Sequence, residues 1–254
     1  MEKKWMEIDD LRVFRGKDIK IADYITIHQP SLEEIYEYGE RDYFSMIHSL
    51  TAVGADLKWQ LDDLGIDYTE ITDFELFYKI LVPNYPRSRT EIIFGELDFT
   101  KFKLKINPEN GEVCMYLYMM DLDGLKPVVI DEFTYLLIIE NLRKMHGLTR
   151  NNQKPANNNT KMILIEDARD EYMMTKDKEY SSFLLNYVST MVNCEGFKYN
   201  HENVWGLKIY AFLDSVKRIS KIKNAELLLQ SGYSGYGIDL KNIDKKQLDW
   251  SGEL

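Results

Sequence analysis

Between Asn200 and Gly232, the apolar residues Val204, Trp205, Leu207, Ile209, Phe212, Leu213, Val216 and Ile219 recur with the period of a helix. The stripe they form is wide enough to face a core. The spacing predicts a buried helix that starts at Asn200, whose side-chain oxygen would cap the free amides of the first turn. It also places Trp205, Phe212 and Val216 together on the buried face. Asp214, Lys217, Arg218 and Lys221 fall on the opposite, solvated face. A second apolar run, Ala225 to Leu229, follows, with Gly232 as the expected stop.

Upstream the pattern changes period several times. Leu11, Val13, Ile19, Ile21, Tyr24, Ile25 and Ile27 alternate around the turn-like Arg15-Gly16-Lys17-Asp18 and predict two or three short strands. Ser31 and Glu34 then have capping-box spacing, so a helix begins there, bends near Gly39 and resumes over Tyr43, Phe44, Ile47 and Leu50. Thr51 to Gly65 predicts a short helix with Leu57, Leu61 and Leu64 on one face and Gly65 as its cap. Thr72 and Glu75 repeat the capping-box spacing ahead of a helix that Pro83 ends.

After Tyr85-Pro86 the period falls to two. Phe102, Leu104 and Ile106 alternate with lysines, and Val113, Met115 and Leu117 alternate in turn, which predicts a β-hairpin near 102–117. Its turn is Asn107 to Gly111, with Asn110-Gly111 suited to the positive φ that a tight turn imposes. Val128 to Ile130 adds a strand, and Asp131 caps a helix that ends near Gly147. From Thr149 to Thr160 the chain reads TRNNQKPANNNT, an exposed, mobile loop by composition, and only helical patterns follow it. The tail from Gly237 to Trp250 is partly apolar and is expected to dock. The reading is therefore α+β: a mixed α+β domain at 1–148, an Asn-rich loop at 149–160 and a helical domain at 161–254.

The chain has 254 residues, 44% of them hydrophobic, enough to fill a core. A formal net charge of −10 argues against nucleic acid as the partner, because phosphate recognition rests on clustered Lys and Arg. No apolar run reaches the length of a membrane span, and MEKKWMEIDD lacks the apolar centre of a secretory signal, so the expected location is the cytoplasm of the cell that makes it. Cys114 and Cys194 are read as reduced thiols.

Candidate chemistry is sparse. His28, His48, His146 and His201 have no partner at metal-ligand spacing, and His48 and His201 read as structural or surface residues. Asp121-Leu122-Asp123-Gly124 starts like a calcium loop but carries its glycine at the wrong place and Lys126 and Pro127 where ligands belong. The glycines from Ser231 to Gly237 lack the Lys-Ser/Thr of a phosphate loop and follow a helix. Arg143, Lys144, His146 and Arg150 form a basic patch that complements a helix C-terminus, and Lys217, Arg218, Lys221 and Lys223 form a solvated face. No catalytic, cofactor-binding or metal-binding residue is assigned. With 17 Tyr, 11 Phe, 4 Trp and 11 Met, some apolar surface is expected to bind protein, and Met119, Met120, Met173 and Met174 are candidates.

Three stretches carry a family likeness: IxIxxPSLEEIYEYGERDYF from Ile25 to Phe44, DLKWQLDDLGIDYTEITDFELF from Asp56 to Phe77, and GYGIDLKNIDKKQLDWSGEL at the C-terminus. Together they resemble accessory proteins of the tail-gene module in tailed phages and prophages of Gram-positive bacteria. The resemblance implies a non-enzymatic tail assembly chaperone whose partners are other phage tail proteins. The small chaperones are short and largely helical, whereas this chain has a β-hairpin. A structural or connector component of the virion is therefore the alternative.

Overall fold

A computed structural model describes residues 10–107, 111–121, 124–234, 237, 239–252 and 254. The fold is α+β, with two small sheets and helices in the N-terminal half and helices in the C-terminal half. Helix α1 (Asp10–Phe14) precedes an antiparallel hairpin of β1 (Ile19–Ala22) and β2 (Ile25–Ile27). Leu11 and Val13, expected in a strand, lie in α1. Val13 is buried while Leu11 faces solvent, so one inward residue anchors a single helical turn.

Helix α2 (Leu32–Tyr38) starts with the predicted capping box. The Glu34 amide donates to Ser31 Oγ at 3.2 Å, and the Ser31 amide donates to Glu34 Oε2 at 2.6 Å. Gly39, at φ 102°, then bends the chain into α3 (Glu40–Thr51), as the sequence indicated. Helix α4 (Lys58–Asp63) is shorter than predicted, and Leu64 faces solvent instead of joining Leu61 in the interior. Gly65 at φ 69° closes it, with the Ile66 amide bonded to Leu61 O. The second capping box, Thr72 with Glu75, opens α5 (Asp73–Leu76), which widens into a π turn over Phe77–Leu81 and ends in a tight turn containing Pro83. Helix α6 (Arg87–Phe94) leads to the larger sheet.

Strands β3 (Lys103–Ile106), β4 (Val113–Asp121) and β5 (Gly124–Ile130) pair antiparallel in that order, with Leu104 opposite Met115 and Leu117 opposite Val128. The predicted hairpin is present. Residues 108–110 of its turn, Asn110 included, lie outside the described residues, and Gly111 has φ 74°. Asp121 and Gly124 are paired strand residues, and Leu122 and Asp123 between them also lie outside the described set. Asp131 caps α7 (Glu132–His146), and Gly147 ends it in the left-handed conformation.

Helices α8 (Asn158–Thr175), α9 (Phe183–Val192), α10 (Ile209–Tyr233) and α11 (Lys245–Leu248) complete the chain. The segment from Thr149 to Thr160 is largely exposed, as its composition indicated, and polar contacts tie it to the rest of the chain. Arg150 forks onto both carboxylate oxygens of Asp73, Asn151 donates to Asp56, and Asn157 caps α8.

The predicted central helix starts later and runs further. Asn200 does not cap it: its side chain accepts from the Glu202 and Asn203 amides, at 3.0 and 3.1 Å, in a turn of its own. Residues 207–209 are instead drawn into an extended pairing with residues 30–32. The Leu32 amide donates to Leu207 O and the Ile209 amide to Pro30 O, each at 2.9 Å. Backbone pairing to a distant segment thus overrides helix periodicity up to Lys208. Trp205, expected at the centre of the buried face, is only half-buried against the Tyr36 ring, and Val216 is half-buried too, while Phe212 is fully buried. Gly232 lies inside α10, where a Cβ would run into the Leu240 side chain. That close approach helps dock the tail, as expected. Arg218 also donates to the carbonyls of Trp250 and Gly252.

The main core joins Ile27, Leu32, Tyr43, Ile138 and Phe212, so it draws on chain from both sides of the Asn-rich segment. A smaller cluster of Leu61, Tyr68, Leu76, Leu81 and Ile165 lies between α4 and α8.

Candidate functional site

A cleft of about 610 Å³ opens where α3, α9, α10 and the end of α7 converge. Its walls are apolar: Phe44 and Ile47 from α3, Phe183 and Tyr187 from α9, and Leu213 and Val216 from α10. The Phe44 and Phe183 rings meet edge to face, 5.3 Å apart. The helical period explains the wall, since Leu213 and Val216 sit on the flank of α10 just beside the buried Phe212. Exposed Arg41, His48 and Lys217 stand at its rim, and no Asp or Glu lines it.

The floor is polar but neutral. His146 Nδ1 lies 2.7 Å from Leu142 O, which only accepts, so this nitrogen carries the proton. Nε2 therefore accepts from the Tyr43 hydroxyl at 2.6 Å. Burial pushes the His146 pKa down to about 4 and the Tyr43 phenol well above its usual value. Both are uncharged at neutral pH, and their hydrogen bonds are satisfied by each other and by Leu142 O.

Two carboxylates of the N-terminal half hold the C-terminal half in place. Glu40 of α3 accepts from Ser182 Oγ at 2.5 Å and from the Leu184 amide at 2.7 Å, at the first turn of α9. Glu34 accepts from Lys208 Nζ at 3.1 Å, and it also faces His28 Nε2 at 2.9 Å. Burial alone would raise the Glu34 carboxyl, but the bonds from Ser31, His28 and Lys208 prevail and hold it at about 2.

The structure redistributes the residues singled out by sequence. Arg143, Lys144 and His146 lie in the last turn of α7, the helix C-terminus the sequence assigned them to, but they form no joint patch with Arg150: Arg143 is buried and donates to Thr51 O, His146 is interior, Lys144 pairs with Asp10, and Arg150 pairs with Asp73. His48 is exposed at the cleft rim and His201 lies in an exposed turn. Cys114 and Cys194 are free thiols. Among the described residues, no group of His, Cys, Asp or Glu is placed to hold a metal ion. Met120, Met173 and Met174 are exposed and Met119 is half-buried.

Sequence reasoning missed the cleft itself, because its walls bring α3 against α9 and α10, which follow it by well over a hundred residues. It named Met120, Met173 and Met174 as candidates for a binding surface, but not the apolar neighbours exposed with them. On the larger sheet, Tyr118, Met120, Leu125 and Val129 are exposed, with Met120 directly opposite Leu125. Helix α8 leaves Met162, Ile163, Tyr172, Met173 and Met174 exposed, and α9 adds Leu185. The signal was available at α8, where the run MILI is followed by EDARDE and then YMM, apolar at both ends without a continuous stripe.

Residues 175–254 match the family model of the YomV second domain. YomV is a Bacillus prophage protein, and the match suggests a phage origin. It covers the last of the three stretches that carry the tail-module likeness, whereas the stretches at 25–44 and 56–77 precede it. No curated protein and no solved structure matches the chain. No helix of the described residues is long and apolar enough to cross a membrane.

Proposed function

We propose that this chain is a non-enzymatic phage tail assembly factor that acts in the host cytoplasm by binding apolar segments of other tail proteins. The observation that carries this reading is the row of exposed Tyr172, Met173 and Met174 at the end of α8, with Met162 and Ile163 exposed at its start. Methionine adapts its shape to irregular apolar partners, which suits a surface that must hold a segment before it finds its final place. The matched phage domain begins at residue 175, where α8 ends, so the row lies at the junction of that domain with the rest of the chain.

Co-expression with each neighbouring tail protein, followed by pull-down, tests the proposal. One tail protein is expected to be retained, and Met173→Glu with Met174→Glu should release it while leaving the melting temperature unchanged. Retention of none, or retention unaffected by the double substitution, overturns the reading. Mass spectrometry of purified particles separates it from the connector alternative, which requires a fixed copy number in the virion.

A further inference from the structure

We infer that the cleft between α3, α9 and α10 is a binding site for a small amphipathic carboxylate, an apolar chain or ring system carrying one acid group. The site stands apart from the protein-binding row, since none of Met162, Met173 and Met174 lines it. Its volume of about 610 Å³ lies within the range of small-molecule pockets, and its walls are aromatic and aliphatic.

Charge decides the class of ligand. The protein carries a formal net charge of −10, yet the rim has no carboxylate and three basic side chains, Arg41, His48 and Lys217. Arg41 lies over the Tyr180 ring at 5.8 Å, and Lys217 Nζ lies against Gly147 at the end of α7. Neither forms an ion pair among the described residues. Of the nearby acids, Glu40 is occupied by Ser182 and the Leu184 amide, while Asp214 shares the adjoining pocket with Lys217 and feels its charge without forming an ion pair. The floor presents the neutral Tyr43–His146 pair, whose hydrogen bonds are already made. An apolar body can therefore enter without leaving a polar group unpaired. Its acid group then meets two cations at the solvent edge, where it keeps part of its hydration.

The test is isothermal titration of the full chain with decanoate and, separately, with decanol, which has the same tail and no charge. Decanoate is expected to bind at one site at least tenfold more tightly than decanol at pH 7. Arg41→Glu with Lys217→Glu should remove that preference and leave decanol unchanged. Both side chains are exposed, so the fold is not at stake. Leu213→Trp, which fills the cleft, should weaken both ligands. Equal affinity for the two ligands, a preference that survives the double charge reversal, or no saturable decanoate binding overturns the inference.

Discussion

Helices α7 and α8 are both long, and each starts on a side-chain cap, Asp131 and Asn157. Helix α7 buries eight of its fifteen residues, whereas α8 buries Ile165 alone of eighteen, so different forces keep them in place. Within α7, polar residues also point inward and find partners: Arg143 donates to Thr51 O, and His146 joins Tyr43. Helix α8 is held at its edges by Arg169 pairing with Asp62 and Asp63, by Lys161 with Asp67, and by the Trp59 and Tyr172 rings 4.9 Å apart. Exposed ion pairs contribute little stability. An inward polar group makes a helix hard to change, and an outward apolar one leaves it free to serve a partner.

The largest break in this contrast should come from the main core. Phe212→Ala removes a fully buried ring and should destabilise by about 3 to 5 kcal/mol, read as a lower urea midpoint at unchanged slope. An unchanged midpoint would mean that α10 does not share the core of α7.

The second effect is set by pH. His146 titrates near 4 in the folded chain against 6.5 for the free side chain, so between those values the unfolded chain takes up a proton that the folded chain refuses. Stability is thus fully present above pH 6.5 and falls as pH drops toward 4, by about 3 kcal/mol if this residue acts alone. Urea titrations at pH 7 and 4.5 measure it, and His146→Gln should flatten the dependence in that window. The Glu34 contribution has the other sign of charge and is lost lower, as pH falls from 4.5 toward 2.

Smaller still is the cap. Ser31→Ala removes one side of the capping box and should lower stability by about 1 kcal/mol, visible as a shifted thermal midpoint. Smallest is the α8 surface, where Met173→Glu should stay within about 0.5 kcal/mol. A loss of several kcal/mol there would show that α8 is a buried element like α7 and not an accessible one.

Local signals were legible wherever the chain makes its own partners. Ser31 with Glu34, Thr72 with Glu75, Asp131, Gly39 and Gly147 each act within four residues, and each does what its spacing indicated. Distant partners were not legible. Nothing near Asn200 announces that residues 207–209 pair with residues 30–32, so the start of α10 was misplaced and Trp205 with it. Arg143 and His146 were legible as residues of a helix C-terminus, but only the fold shows Thr51 O and Tyr43 as their partners. The cleft was invisible for the same reason, since Arg41 and Lys217 approach one space from opposite ends of the chain.

The pairing of Ser31 with Lys208 has a consequence for how the protein is made. Glu34 and Lys208 are 174 residues apart, and a ribosome adding 5 to 20 residues per second needs roughly ten to thirty seconds to supply the second after the first. Throughout that interval Leu32 and Tyr43, and Ile138 once it is made, lack Ile209 and Phe212, the residues that complete their core. The two ends of so long a loop also meet slowly once both exist. The nascent chain is therefore sticky for most of its own synthesis, and a stalled chain ending near residue 200 should bind hydrophobic dyes that the finished protein excludes.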